Sequence, residues 1–396
     1  MNPTIEKILK PTFWKVVATI IFILGLYTIY LRFTGGLGAV TNLNDHFPWG
    51  LWIGFDILCG VGMAAGGFTL CAIVYIFNIK KFKPIIRPTI LTAFLGYLLV
   101  ILALLIDLGR PWAIWHAIIM WNPRSVMFEV AWCVMLYTTV LFLEFSPVIL
   151  ERFKVEKLLK IIRGITIPLV VLGILLSTLH QSSLGALYLI VPSKMHPLWY
   201  STNLPWFFYL SAIGVGCAMI IFESYLSAKA FKKNLEFHLV SDVGRWIVVV
   251  MSTYLTWKFM DLILNEKLHL LFVNSIETYL FWLEIIIGVI IPIVLLAQPK
   301  VRLNRVGLFV SACFVIGGFL LNRLNVSVTS LQASSGVSYF PSVYEIIITL
   351  FLVTLGVVIF NLAVQYLPVY EKTKEEIPVE FEIITDENLN TEPATK

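Results

Sequence analysis

The feature that most constrains this chain is a series of ten long apolar runs that repeat through its 396 residues. Apolar residues make up 59% of the chain and charged residues only 13%, whereas ordinary soluble domains are about half apolar and about a quarter charged. A run of about 20 apolar residues can cross the hydrocarbon core of a bilayer as a helix. The pattern therefore predicts an all-α integral membrane protein and excludes a soluble domain. The predicted spans are 12–33, 50–78, 87–108, 125–146, 160–181, 205–228, 242–264, 277–297, 305–323 and 342–367.

Basic residues predict the orientation of these spans. Most of the 29 Lys and Arg residues fall on the side of the membrane that carries both termini. Cytoplasmic loops carry the excess of Lys and Arg, so we expect cytoplasmic termini and a multi-pass protein of a bacterial or archaeal cytoplasmic membrane. The net charge of +5 is thus an orientation signal, and nucleic acid is not expected as a partner. The opposite side holds only Arg32, Arg110, Arg124, Lys194, Lys267 and Arg323.

Landmark residues recur at a nearly constant spacing that covers four spans, an even number. Such a spacing predicts two repeats of parallel topology. We expect a membrane domain over 1–369, with one four-helix bundle at about 48–181 (spans 2–5), a second at about 205–323 (spans 6–9), and spans 1 and 10 flanking them. The acidic, apolar-poor tail 370–396 is predicted to be disordered and cytoplasmic. The recurring pairs are Pro48-Trp49 with Pro205-Trp206, Asp107 with Asp261, and Glu129 with Glu284.

Ionisable side chains inside the spans mark the candidate site, because a charge near the bilayer centre costs at least about 2.5–3.5 kcal/mol. The direction of each helix assigns a depth to each residue. By this reasoning the outer half of the first bundle gathers one polar cluster, which predicts a binding site there. Its members are Asp56, Asp107, Arg110, Glu129, His180 and Gln181.

A second set of polar residues suggests a path for protons. Glu129, Cys133, Tyr137 and Glu144 share one face of the fourth span, because about 100° separates successive residues of a helix. Glu223 lies near the inner end of the sixth span. Carboxylates and a phenol could relay protons from the cytoplasm to the polar cluster. The alternative is a set of satisfied hydrogen bonds between helices.

Other intramembrane groups have simpler interpretations. Lys258 and Asp261 are three residues apart and are expected to pair with each other. Glu284 and Glu345 lie near the starts of helices, where a carboxylate is favourable. Gly62 and Gly66 form a GxxxG pattern that permits close helix packing.

Neither the cysteines nor the histidines match a metal site. The five cysteines lie in apolar runs, and their spacings fit no zinc or iron–sulfur pattern. Of the six histidines, only His180 falls at membrane depth, and a bis-histidine haem needs two. We therefore predict no metal, haem or iron–sulfur cluster in this chain. His180 could instead hydrogen-bond a carbonyl ligand.

Four motifs together resemble the NrfD/PsrC family of quinone-interacting membrane subunits, and within it the HybB-type branch of periplasmic nickel–iron hydrogenases. The pair Phe222-Glu223 and the run Tyr339-Phe340-Pro341 also fit. The resemblance covers nearly the whole chain. The four motifs are the run from Phe47 to Asp56, Ser125 to Glu129, His180 to Gly185, and His196 to Trp199.

The resemblance implies a subunit without its own cofactor that binds quinone near the outer, periplasmic face. It also implies electron exchange with a four-cluster ferredoxin-like subunit docked on that face. That subunit would connect this chain electronically to a catalytic subunit, for which a nickel–iron hydrogenase is favoured. We expect menaquinone to bind at Asp56 and His180, in a site shaped by Gln181, Trp49 and Glu129. Glu129, Tyr137, Glu223 and Glu144 would carry protons, and this transfer could be coupled to proton translocation.

Other functions remain open. The same module could serve a polysulfide, nitrite or molybdenum-enzyme complex. Buried carboxylates also suit an ion-coupled secondary transporter. A haem-carrying cytochrome b and a purely structural anchor are the remaining alternatives. The sequence assigns no catalytic residue to this chain itself.

Overall fold

A computed structural model describes residues 12–231 and 237–370, and these residues form helices with no β-strand beyond one isolated bridge between Asn44 and Phe47. The predicted tail, apart from Tyr370, lies outside the described residues. Within the described residues ten helices are long and apolar enough to cross a membrane, which confirms the predicted all-α membrane fold. They are α1 (Phe13–Gly35), α2 (Trp52–Ile76), α3 (Lys81–Asp107), α4 (Val126–Phe153), α5 (Thr166–Ile190), α6 (Leu204–Phe231), α7 (Phe237–Leu264), α8 (Ile276–Ala297), α9 (Arg305–Ser335) and α10 (Val343–Tyr366).

The spans alternate in direction, so their ends define two faces. The terminus face carries the start of α1 and the end of α10. The loop face carries the connections 36–51, 108–125, 191–203, 265–275 and 336–342. Short helices occur in the connections on both faces. On the loop face these are Leu37–Ala39, Pro111–Ala113, His116–Ile119 and Leu268–Phe272, and on the terminus face Glu156–Gly164 and Pro299–Arg302.

Helix α2 lies at the centre of the protein and is its most buried span. It contacts α3, α5, α6, α9 and α10. Its approach to α6 depends on glycine, because a Cβ atom on Gly216 would lie 2.7 Å from the backbone nitrogen of Gly66 and 2.8 Å from the carbonyl carbon of Ala65. The close helix packing predicted from the GxxxG pattern is therefore present at Gly66.

The remaining contacts group the helices around α2 and α6. Helices α2 to α5 contact one another in a ring, and so do α6 to α9. The two rings meet where α6 packs on α2 and α5. Helices α1 and α10 pack together, and α10 also contacts α2 and α3. The internal repeat that suggested two bundles stays a prediction.

Several spans extend beyond their predicted bounds, among them α4, which continues to Phe153 instead of ending at residue 146. Helix α5 continues to Ile190, and α9 continues to Ser335 instead of ending at residue 323. The stretch 325–335 is rich in Ser, Thr and Asn and resembles a loop in composition. Its polar groups are bonded within the protein: the hydroxyl of Ser327 donates to the carbonyl of Arg323 at 2.8 Å, and Asn325 donates to Glu284 of α8 at 2.9 Å. Arg323 is consequently a buried residue of α9 and not part of an outer loop.

The expected pairing of Lys258 with Asp261 was wrong. The Lys258 ammonium donates to the carbonyl oxygen of Leu198 at 3.2 Å and lies 5.0 Å from the ring centre of Phe207. Asp261 instead accepts hydrogen bonds from Ser201 and Asn203 in the 191–203 connection, and from Asn265. Both groups therefore fasten that connection to α7.

In the part of the chain that the structure describes, four π-helical segments interrupt the spans. They are Trp52–Cys59 and Ala72–Ile76 in α2, Ile286–Ile290 in α8 and Asn325–Thr329 in α9. Short π-helical turns occur frequently at functional sites. The segment at the start of α2 carries Asp56 and contacts the segment in α9. The part of α2 around Asp56 therefore differs from an ordinary α-helix.

Candidate functional site

A cavity of about 600 Å³ lies between α2, α3, α6 and α10. Its walls are almost entirely apolar, and small residues of α2 and α3 leave the space open, including Gly60, Ala64 and Gly96. A volume of this size is within the range of small-molecule sites. The apolar lining includes Phe55, Leu95, Val100, Leu352, Val357 and Phe360.

Asp56 lines the part of this cavity nearest the loop face. The side chain is buried, and its Oδ2 accepts a hydrogen bond of 2.7 Å from the hydroxyl of Thr349 in α10. Asp56 lies in the π-helical segment at the start of α2, and this bond joins that segment to α10. The sequence did not identify Thr349 as part of the site, although a polar residue within an apolar span was a usable signal.

Aromatic residues close the loop-face side of this site. The phenol of Tyr339 donates to Glu345 at 3.0 Å and accepts from the backbone N–H of Leu51 at 2.8 Å. Its ring stacks on Phe47 with centroids 4.7 Å apart. Burial raises the pKa of Tyr339, so the phenol stays protonated and keeps both bonds. Glu345 completes a capping box with Ser342, which agrees with its predicted place at a helix start.

The cavity has a second polar end, nearer the terminus face. Glu223 and Ser227 of α6, Thr92 of α3 and Asn361 of α10 line it. The Oε1 atom of Glu223 and the hydroxyl of Thr92 are buried without a hydrogen-bond partner. Buried polar groups in proteins nearly always have a partner, which can be a water molecule. The predicted proton residue Glu223 thus shares one cavity with Asp56.

His180 and Gln181 do not line this cavity. His180 is fully buried in α5, and its Nδ1 is hydrogen-bonded to the phenol of Tyr97 at 2.8 Å. Its Nε2 has no partner among the described residues. Gln181 donates to the carbonyl oxygen of Val61 in α2 at 3.1 Å, five residues beyond Asp56. Gln181 therefore reaches the helix that carries Asp56, while His180 faces α3.

Trp49 and Glu129 lie nearer the loop face. Trp49 is half-buried, and its ring packs edge-on against Tyr188 with centroids 5.5 Å apart. Glu129 is exposed and accepts a hydrogen bond of 2.5 Å from Ser183. Neither residue lines the cavity. The structure thus places Asp56 at the cavity and Glu129, His180 and Gln181 on or beside α5. The other two members of the predicted cluster lie elsewhere, Asp107 at the end of α3 and Arg110 in the 108–125 connection.

Tyr137 and Glu144, the other predicted proton residues, lie between α4 and α5. The Tyr137 ring packs edge-on against Tyr97 with centroids 4.7 Å apart, and its buried hydroxyl has no partner among the described residues. Glu144 is half-buried, and a Cβ on Gly173 would lie 3.4 Å from its Oε1 and 3.8 Å from the Tyr137 ring. These residues form a second line of polar groups, on the other side of α3 from α10.

The second ring of helices contains a fully bonded polar network. Glu284 accepts from Trp199, Asn322 and Asn325. The Arg323 guanidinium donates to Asn322, Ser211 and the carbonyl of Phe208, and lies 3.6 Å from the ring centre of Phe208. The sequence placed Arg323 outside the membrane and therefore missed this network.

No metal-binding group was found among the described residues, since no three His, Cys, Asp or Glu side chains converge. A bis-histidine haem would need a second imidazole beside His180. Within the described part of the chain no contact joins His180 to another histidine. His196, whose pKa is lowered by its partial burial, packs on Trp199 instead.

A family model described as "Polysulphide reductase, NrfD" matches residues 39–333. The chain belongs to the NrfD family. The match includes α2 to α9 and most of the residues described above.

Curated relatives extend over almost the whole chain. A protein of Nitratidesulfovibrio vulgaris, whose name states no activity, is 40% identical and covers 90% of this chain and 94% of its own. The "probable Ni/Fe-hydrogenase 2 b-type cytochrome subunit" of Escherichia coli is 33% identical, with 92% and 96% covered. The "menaquinone reductase, integral membrane subunit" of N. vulgaris is 30% identical, with 91% and 92% covered.

Proposed function

We propose that this NrfD-family protein is the membrane subunit of a quinone-linked respiratory complex, and that the cavity between α2, α3, α6 and α10 binds the quinone. The observation that carries the proposal is an apolar space of about 600 Å³ inside the membrane domain with the carboxyl group of Asp56 at its loop-face end. An isoprenoid quinone combines a long apolar chain with a ring whose oxygens need polar partners. The relative named as the menaquinone reductase membrane subunit of N. vulgaris supports menaquinone as the ligand.

Quinone reduction consumes two electrons and two protons, so a proton donor must lie within hydrogen-bond reach of the ring oxygens. Asp56 is that donor in this proposal, held in place by Thr349. Gln181 positions α2 through its bond to Val61, and Trp49 packs against Tyr188 nearer the loop face. His180 is the second candidate partner, because its Nε2 makes no hydrogen bond to any described residue, but it lies outside the cavity lining.

Protons would reach the site from the terminus face. Glu223 can receive them at the far end of the cavity, and water in the cavity would carry them toward Asp56. Glu144, Tyr137 and Glu129 offer a second line along α4. If the terminus face is cytoplasmic, as the basic residues predict, turnover with electrons from the loop face would move charge across the membrane.

Electrons would come from an iron–sulfur subunit docked on the loop face, which we expect to be periplasmic. The 108–125 connection offers a suitable surface, because Trp112, Trp115 and Trp121 are exposed there. Aromatic residues are enriched at protein interfaces. The E. coli relative favours a nickel–iron hydrogenase as the catalytic partner. A polysulfide, nitrite or molybdenum-enzyme complex is the alternative.

The test uses membranes that contain the intact complex. Asp56→Asn keeps an oxygen for the Thr349 hydroxyl but loses the acid, so quinone reduction should fall by about 10²–10⁴-fold. The partner's activity with a soluble dye should be unchanged. Asp45→Asn, an exposed aspartate on the same face, is the control and should retain quinone reduction. Normal turnover in both Asp56→Asn and His180→Ala would remove these two assignments.

Two further measurements separate the rival functions. Co-purification with an iron–sulfur protein supports the respiratory complex, whereas isolation alone together with substrate uptake into vesicles supports a transporter. A Soret absorbance band in the pure subunit would identify it as a haem protein.

A further inference from the structure

The helix Glu156–Gly164 connects α4 to α5 on the terminus face and has three chemically distinct sides. Successive residues are about 100° apart around a helix, so Leu159 and Ile162 lie together on one side. Ile162 is buried, and the helix contacts both α4 and α5. This side is therefore the one that holds the connector against the protein.

A second side of the connector is apolar and has no protein partner. Leu158, Ile161 and Ile165 fall within about 60° of one another around the helix, and each is at least 40% exposed. In a membrane protein an apolar stripe at the end of two spans meets lipid chains and not water. Short helices with this division of faces lie in the plane of the headgroups.

The third side carries cations. Lys157 and Lys160 are exposed, and neither makes an ion pair or a side-chain hydrogen bond with any residue that the structure describes. Arg163 differs, because its guanidinium is bonded to Glu151 at 2.9 Å. Glu156 is the one carboxylate on this side of the helix. Lys157 lies next to the exposed apolar stripe, so an ammonium group and a lipid-facing surface adjoin.

We propose that this connector is a binding site for an anionic phospholipid of the terminus-face leaflet. The headgroup phosphate would bind at Lys157 and Lys160, and the acyl chains would pack on Leu158, Ile161 and Ile165. Basic residues near a membrane surface attract anionic lipids. The site is separate from the quinone cavity and does not depend on the proposed function.

The experiment places the full-length protein in phosphatidylcholine nanodiscs. One sample contains a trace of photoactivatable phosphatidylglycerol, and the other contains a trace of the matching photoactivatable phosphatidylcholine. Mass spectrometry then maps the labelled peptides. We expect the phosphatidylglycerol probe to label residues 152–165 more strongly than the phosphatidylcholine probe. Lys157→Gln with Lys160→Gln should reduce that labelling, by roughly fivefold for each lysine at low salt.

The control removes the same charge from the same face but away from the connector, through Lys83→Gln with Lys300→Gln. It should leave labelling of 152–165 unchanged, and Lys157→Arg with Lys160→Arg should retain it. Glutamine and lysine have similar helix propensities, so the connector should stay folded. Equal labelling by the two probes would overturn the proposal. So would an equal loss in the control pair, or no loss in the connector pair.

Discussion

Replacing Glu284 by glutamine should destabilise the protein without altering the cavity. Glu284 is buried in α8, and its carboxylate accepts three hydrogen bonds. Asn322 donates to Oε1 at 2.7 Å, while Asn325 and Trp199 donate to Oε2 at 2.9 and 3.0 Å. These donors come from α9 and from the 191–203 connection, so one carboxylate joins three segments.

The expected magnitude follows from the number of acceptors. A glutamine amide keeps one oxygen, and its NH₂ group can only donate. In the better orientation the oxygen serves Asn325 and Trp199, and Asn322 loses its acceptor. The side-chain amide of Asn322 cannot rotate by 180° to compensate without losing another hydrogen bond, because its Oδ1 accepts from Arg323 at 2.6 Å. One buried donor without a partner costs about 1–3 kcal/mol.

The assay is chemical unfolding of the purified protein in detergent, followed by circular dichroism. Glu277→Gln, the same substitution in the first turn of α8, is the matched control and should change the free energy of unfolding by less than about 0.5 kcal/mol. Quinone turnover per folded molecule should be unchanged in both variants. If Glu284→Gln is as stable as the wild type, the network does not stabilise the fold as argued.

Two further predictions concern the cavity and its central helix. Glu223→Gln should lower quinone turnover by about 10²-fold or more while dye activity persists; normal turnover would show that protons do not enter at the terminus-face end of the cavity. Gly216→Val should separate α2 from α6 and lower the yield of folded protein, because its side chain would overlap the backbone of Gly66 at a cost of about 1–3 kcal/mol or more. Gly317→Ala in open space is the control, and normal size-exclusion behaviour of Gly216→Val would contradict the prediction.

The ten spans could be predicted from sequence because the bilayer imposes a single requirement on each of them. Every backbone group must be bonded internally within a segment about 20 apolar residues long, and that requirement is visible in composition. The end of α9 was missed for the same reason. Its stretch 325–335 is polar, and the partners that make it acceptable inside the protein, such as Glu284 for Asn325, come from other helices.

The site was predicted only in part because lateral helix positions are not encoded locally. Depth along a helix follows from its direction and rise, so Asp56 could be placed in the outer half. The facing residue, Thr349, belongs to α10, which the sequence placed only outside the bundles. Likewise Lys258 and Asp261 share a helix at a spacing that permits pairing, but the 191–203 connection offers each of them a better partner.

The distribution of buried polar atoms without a hydrogen bond of ordinary geometry agrees with the proposed site. Within the described residues seven buried side-chain atoms lack a hydrogen-bond partner, and six of them lie on α3 to α6. Helices α7 to α10 contain none of them, although Glu284, Asp261 and Arg323 are buried there, because each of these groups is bonded. An unpaired polar group in an apolar interior is costly. Such a group can be retained where a water molecule, a proton or a ligand binds to it. In the proposed function α7 to α9 are therefore the scaffold. We expect replacement of Glu223 or His180, which lie near α3 and the cavity, to change turnover more than stability.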